Sequence, residues 1–310
     1  MTLFFLRTGL VIGIMLSAAL TRGQESPSIP VSSEQIQLGD SVESSDAAFR
    51  DIPVPAWHSM ITHIPATWYS VYQRVFQPTK ISSLVGMGAL TTALVATDEE
   101  TWRLTRKFHD ASNFNSSFAD ACVYLGDGLP HFGTAAAFAL FGFTTGDRRA
   151  LRTASQIVEA LVGTALIVHT VKRISGRQQP RRATQPGGVW DVFPNQMDYN
   201  RSTSKFDAFP SGHLSTTVAT LTVIMENYPE VTWLKPVSYT VMGLVAFGLV
   251  NKGMHWYSDF PMAIALGHLI GTAAAHPDGY SPEEAQNGTT FTVTPMIVGN
   301  QAGIAVEVEF

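Results

Sequence analysis

A succession of mostly apolar runs with alanine and glycine scattered through them constrains this 310-residue chain more than any other feature. The runs lie at Ile81–Thr97, Phe118–Leu125, His131–Phe143, Ala150–Val171, Leu214–Asn227, Pro236–Val250 and Trp256–Ala275. They read as helices, and their small residues let neighbouring helices approach closely. The expected fold is all-α, a helical bundle of about six core helices spanning residues 53–276. Whether that bundle crosses a bilayer is open. Ile81–Thr97 and Val237–Val250 are apolar nearly all round, yet uncharged runs of about 14–18 residues fall short of the roughly 20 that a spanning helix needs. If the helix that starts near Arg148, Arg149 and Arg152 does span, the positive-inside rule places those arginines in the cytoplasm and Lys172 outside.

The ends of the chain have a different character. Residues 1–23 resemble a secretory signal, with Arg7 ahead of an apolar Leu10–Leu20 run and small residues before Gly23. An uncleaved anchor is the alternative, and either reading sends the protein out of the cytoplasm to the cell envelope. Residues 24–52 are polar and aperiodic, as expected of a flexible linker. Trp57–Phe76 reads as a short amphipathic helix and Asp98–Asn115 as a surface helix plus loop. Ala183–Phe209 is a long loop, a candidate substrate cover. Residues 277–310 read as a linker and a small C-terminal β-hairpin turning at Gly299–Gly303. A net charge of −5 argues against a nucleic-acid partner, so attraction for an anion has to be local. Cys122, the single cysteine, reads as core packing.

Chemistry concentrates between Lys172 and Gly271. Pro210-Ser211-Gly212-His213 closes the long loop and opens an apolar run, which leaves unpaired backbone N–H groups at a helix N-terminus beside a histidine. His255 is followed four residues later by Asp259, a spacing that lets the carboxylate orient the imidazole. Upstream stand Lys172, Arg173, Arg177, Arg181 and Arg182. Two histidines, a carboxylate and clustered cations together describe phosphoryl transfer through a phosphohistidine. The histidines lack the close pairing of a metal site, and this chemistry needs no metal or other cofactor.

In these residues the chain resembles the type 2 phosphatidic acid phosphatase and vanadium haloperoxidase superfamily. That pattern runs Lys, six residues, Arg-Pro; then Pro-Ser-Gly-His; then Ser-Arg, five residues, His, three residues, Asp. Here the blocks are Lys172 to Gln179-Pro180, then Pro210 to His213, then Gly248-Leu249 to His255 and Asp259. Gln179 and Leu249 stand where the family has phosphate-binding arginines. The resemblance implies His255 as nucleophile, Asp259 as its orienting carboxylate and His213 as the acid that protonates the leaving oxygen. It further implies Lys172, Arg177, Ser211 and the Gly212 N–H as phosphate-binding groups. Arg181 and Arg182, which follow Pro180, and Lys252, three residues after Leu249, are the nearby candidates to substitute for the absent arginines. The implied activity is an exported, membrane-associated or integral phosphatase of a phosphomonoester or diphosphate, lipid- or isoprenoid-linked. A vanadium-dependent haloperoxidase and a catalytically degenerate envelope binding protein are the alternatives.

Overall fold

The computed structural model describes Ala56, residues 58–77 and 80–277, and the backbone of 290–298 and 301–309. The expected signal sequence (1–23), the linker (24–52), Trp57 and most of the tail linker (278–289) lie outside the described residues. Helices α1 (Ser59–Thr62) and α2 (Ile64–Val75) form from the aromatic-rich segment. They are followed by α3 (Ile81–Val95), α4 (Asp98–Asp110), α5 (Asn113–Leu125), α6 (Gly128–Thr145) and the long α7 (Arg148–Ser175). A 3-10 turn at Pro180–Arg182 leads into the long loop, which contains the short α8 (Gln196–Arg201) and a second 3-10 turn at Thr203–Lys205. Helices α9 (Gly212–Asn227), α10 (Leu234–Asn251) and α11 (Phe260–Ala275) complete an all-helical bundle.

Local chemistry explains where the boundaries depart from the sequence reading. Helix α5 starts at Asn113, ahead of the apolar run, because the Ser112 side chain accepts a hydrogen bond from Asn115 N at 3.1 Å. Helix α11 starts at Phe260 because Asp259 accepts from Trp256 N at 2.7 Å and closes a 3-10 turn first. Pro261 then sits in the opening turn of the helix, where it loses no hydrogen bond. Asp98 corrects the expectation that its segment lies on the surface. Most of α4 is exposed or half-buried, but Asp98 itself is fully buried.

The arginines that open α7 oppose its dipole, and their partners explain them. Arg149 Nε donates to Asn227 O at the end of α9. Arg152 Nη2 and Gln156 Nε2 both donate to Ala275 O at the end of α11, each at 3.1 Å. These side chains satisfy carbonyls that a helix C-terminus leaves without partners.

Helices α7, α9 and α11 enclose the main core of Ile157, Ala160, Leu161, Val223, Ile270 and Ala274. A second cluster joins α9, α10 and α11 through Leu214, Val218, Val245, Leu249 and Phe260. Helices α9 and α11 nearly touch. A methyl group on Gly267 would stand 2.4 Å from Ser215 O and 2.8 Å from Val218 Cβ, and one on Gly271 would stand 2.7 Å from Ala219 O. Gly267→Ala is therefore expected to destabilise the protein by about 1–3 kcal/mol through overpacking. A fall in the denaturation midpoint checks this, and an unchanged midpoint contradicts so close a contact.

Candidate active site

The site forms where α7 ends, α9 begins and the 3-10 turn before α11 meets them. Gly176 ends α7 in the left-handed conformation at φ 54°, and its N–H returns to Lys172 O at 3.1 Å. A side chain there would strike Asp191 O at 1.9 Å, so only glycine fits. The turn leaves Lys172 buried in the last turn of α7 and sends Arg177 into the interior. Facing it, Ser211 caps α9 by accepting from Leu214 N at 3.4 Å. The Lys172 ammonium lies 3.8 Å from the point where a methyl group on Gly212 would stand. Two positive features, an ammonium and a helix N-terminus, thus share one spot suited to an anion, and Asp207 Oδ2 stands 3.8 Å from the ammonium on another side.

His255 is fully buried, and its Nδ1 lies 2.6 Å from Ala208 O. A carbonyl only accepts, so Nδ1 carries the hydrogen and the lone pair of the neutral ring sits on Nε2. The Asp259 carboxylate stands farther away, with Oδ2 3.4 Å from Nδ1. The main orienting partner of His255 is therefore a backbone carbonyl, and Asp259 acts on the ring as a nearby charge. Ser211 N donates to Asp259 O at 3.4 Å, which ties the two motif loops together.

Arg177 holds this arrangement from behind. One Nη1 donates to Ser258 Oγ at 2.6 Å and to Asp259 Oδ1. Nη2 donates to Asp98 Oδ2 at 2.6 Å and to Gly187 O at 3.2 Å. Asp98 also accepts from Ser258 N at 3.2 Å and from the Ser258 hydroxyl. The guanidinium stacks between Trp190 and Trp256, 4.6 and 5.5 Å from their ring centroids. All three ionic groups are completely buried. Both Nη atoms are spent on carboxylates, and Nε is the guanidinium nitrogen without a protein partner.

His213 stands at the opposite wall, with Nε2 3.0 Å from Asp127 Oδ1. Below it, Thr217 Oγ1 donates to His213 O at 2.7 Å and lies 3.2 Å from His131 Nε2. Burial holds the His213 imidazole below its ordinary value of 6.5. The neighbouring His255 and Lys172 push the same way, and Asp127 pulls back.

The structure thus gathers Lys172, Arg177, Ser211, Gly212, His213, His255 and Asp259 around one location. Two of the expected substitutes for the missing arginines, Lys252 and Arg181, have other partners. Lys252 pairs with Asp120. Arg181 Nε donates to Gln179 Oε1 at 2.8 Å. Leu249 is fully buried in the second core cluster. Four functional groups escaped sequence reading: Asp98, Asp127, Asp207 and the carbonyl of Ala208. Each reaches its partner across dozens of residues, and no spacing rule reports such a contact.

No curated protein matches the chain. Among solved structures, the chain is similar to one described as the first transmembrane PAP2 type phosphatidylglycerolphosphate phosphatase from Bacillus subtilis. The identity is 14%, the match covers 71% of this chain and 96% of that one, and the TM-score is 0.42. Residues 153–280 match the family model of the PAP2 superfamily. All three motif blocks, and with them Lys172, Ser211, Gly212, His213, His255 and Asp259, lie inside that match.

Proposed function

We propose that this protein is a phosphatase that hydrolyses a lipid- or isoprenoid-linked phosphomonoester or diphosphate through a phosphohistidine. The observation that carries the reading is the fixed tautomer of His255. Its Nδ1–H is committed to Ala208 O, which leaves Nε2 as the nucleophilic nitrogen. In the first step Nε2 attacks phosphorus, the P–O bond to the leaving group breaks, and His213 delivers its proton to the departing oxygen. In the second, His213 takes a proton from water, the hydroxide displaces Nε2, and inorganic phosphate leaves. Lys172, the Gly212 N–H, Ser211 and the Nε of Arg177 neutralise the transferring oxygens. Asp259 stabilises the imidazolium as it forms.

The environment of His213 gives a pH test. As the acid it must be protonated, and its lowered pKa means that protonated enzyme is lost as pH rises through a value below 6.5. The alkaline limb of kcat/KM is expected there. Asp127→Asn removes the contribution that raises this pKa, so the limb is expected to move further down. A limb that stays in place in Asp127→Asn, or that rises, removes His213 from the role.

Export and membrane association belong to the same proposal. Phe114, Leu129, Phe132, Leu140, Phe141 and Phe143 on α5 and α6 are exposed, an apolar surface suited to lipid. By length and composition, α7 and α10 are long and apolar enough to cross a membrane. The C-terminal hairpin is also part of this reading. Antiparallel backbone pairing of Thr290–Val298 with Gln301–Glu309 supports it. Release of phosphate from a lipid phosphate by the purified chain, set against a soluble phosphomonoester, tests the function; no release from either refutes it.

A further inference from the structure

The cradle around Gly212 is unusual in its charge, and the loop residue Asp207 is the reason. Position 179 carries a neutral amide whose Nε2 donates to Asp207 Oδ1 at 2.7 Å. The other oxygen of Asp207 lies 3.8 Å from Lys172 Nζ. Lys172 therefore faces both the N-terminus of α9 and a carboxylate. Three other cations near the motif blocks are committed to different partners. Arg177 is held between Asp98 and Asp259, Arg181 is hydrogen-bonded to the far side of the Gln179 amide, and Lys252 is paired with Asp120. Arg177 can offer its Nε, but its charge is already shared by two carboxylates; Lys172 is the cation that lies against Gly212, and Asp207 already faces it. Asp207 is itself mostly buried, so water screens its field only weakly.

We propose that Asp207 is a specificity-determining residue that restricts this site to phosphates of single net negative charge. Such a ligand is either a diester, or a monoester whose second charge is offset by an ammonium group of its own; of the substrates in the phosphatase reading, this keeps the ammonium-bearing monoester and excludes the diphosphates. A phosphomonoester dianion without that ammonium brings two charges into a cradle whose cation is already neutralised, and Asp207 repels it. The inference rests on the phosphatase reading for the location of the phosphate, but it concerns which anion binds and not which bond breaks.

The test is calorimetric binding to the full chain and its Asp207→Asn variant at about pH 8, where a phosphomonoester is a dianion. The probes are ethyl phosphate, dimethyl phosphate and 2-aminoethyl phosphate. Asp207→Asn is expected to bind ethyl phosphate at least about tenfold more tightly than the native chain does. Dimethyl phosphate is expected to change by less than about threefold. The native chain is expected to prefer one of the two singly charged probes to ethyl phosphate. If 2-aminoethyl phosphate is the preferred one and Asp207→Asn abolishes the preference, the low charge comes from an ammonium; if dimethyl phosphate is preferred, it comes from a diester. Equal tightening for all three probes overturns the inference, as does no tightening or no binding by either protein. Asp207→Ser removes the same charge with a smaller side chain and is expected to reproduce the split should Asp207→Asn fail to fold. A split in binding without turnover of any ester leaves the inference standing and sinks the phosphatase reading. Turnover without a split does the reverse.

Discussion

Replacing His255 with alanine is expected to lower kcat by at least about 10⁴-fold on any phosphate ester that the native chain hydrolyses. The lone pair of this imidazole is fixed on Nε2 by the Ala208 carbonyl, and without the ring the cradle still binds phosphate but offers no nucleophile. Rapid acid quenching with ³²P-labelled substrate is expected to trap label on the native chain as an acid-labile, alkali-stable adduct, and none on His255→Ala. His213→Ala is expected to retain labelling with a good leaving group and lose it with a poor one, because only the poor one needs the proton. Wild-type turnover by His255→Ala would remove the mechanism altogether.

The second large effect is expected at Arg177. Arg177→Met leaves the carboxylates of Asp98 and Asp259 buried with no cation between them, and breaking a buried ionic group from one side costs about 3–5 kcal/mol. Urea unfolding is expected to show that loss. Hydrolysis is expected to fall with it, because Asp259 and the turn that carries His255 lose their anchor. Asp98→Asn in the Arg177→Met background is expected to restore part of the stability by removing one stranded charge. The reading of Arg177 chiefly as a phosphate ligand predicts a different result: weaker phosphate affinity with an unchanged urea midpoint. That outcome would sink the anchoring role.

These two residues also show how far a sequence carries the argument. The order and spacing of Lys172, Ser211, Gly212, His213, His255 and Asp259 are local patterns, each tied to the end of a helix or to one turn. The existence of α7 is legible as the run Ala150–Val171; the structure extends it to Arg148–Ser175, where the Asp147 side chain caps one end and Gly176 terminates the other. Roles that depend on distant partners are not legible. Arg177 lies in a basic run, and among such residues a phosphate is the expected ligand; only the fold brings Asp98 and Asp259 to both of its Nη atoms. Asp98 opens a strongly charged segment whose other acidic residues, Glu99, Glu100 and Asp110, are at least partly exposed, so composition hides it. Leu249 fills a position in the apolar packing of α10, a fact that explains why no cation is found there.

The placement of Asp98 bears on how the catalytic unit can be divided. It comes from α4, well upstream of residues 153–280, as does Asp127, which sits between α5 and α6. The minimal motif-bearing segment therefore cannot be transplanted as a self-sufficient cassette. A chimera that joins residues 153–280 to the amino-terminal helices of another protein keeps every recognisable block, yet it strands Arg177 with one carboxylate and leaves His213 without its acceptor. Compatibility between the two halves is set by whether the donor half supplies a buried acid at the first turn of a helix lying against Ser258. Interchange of halves is constrained at these two contacts, whose acidic partners Asp98 and Asp127 lie outside every block that a motif comparison inspects.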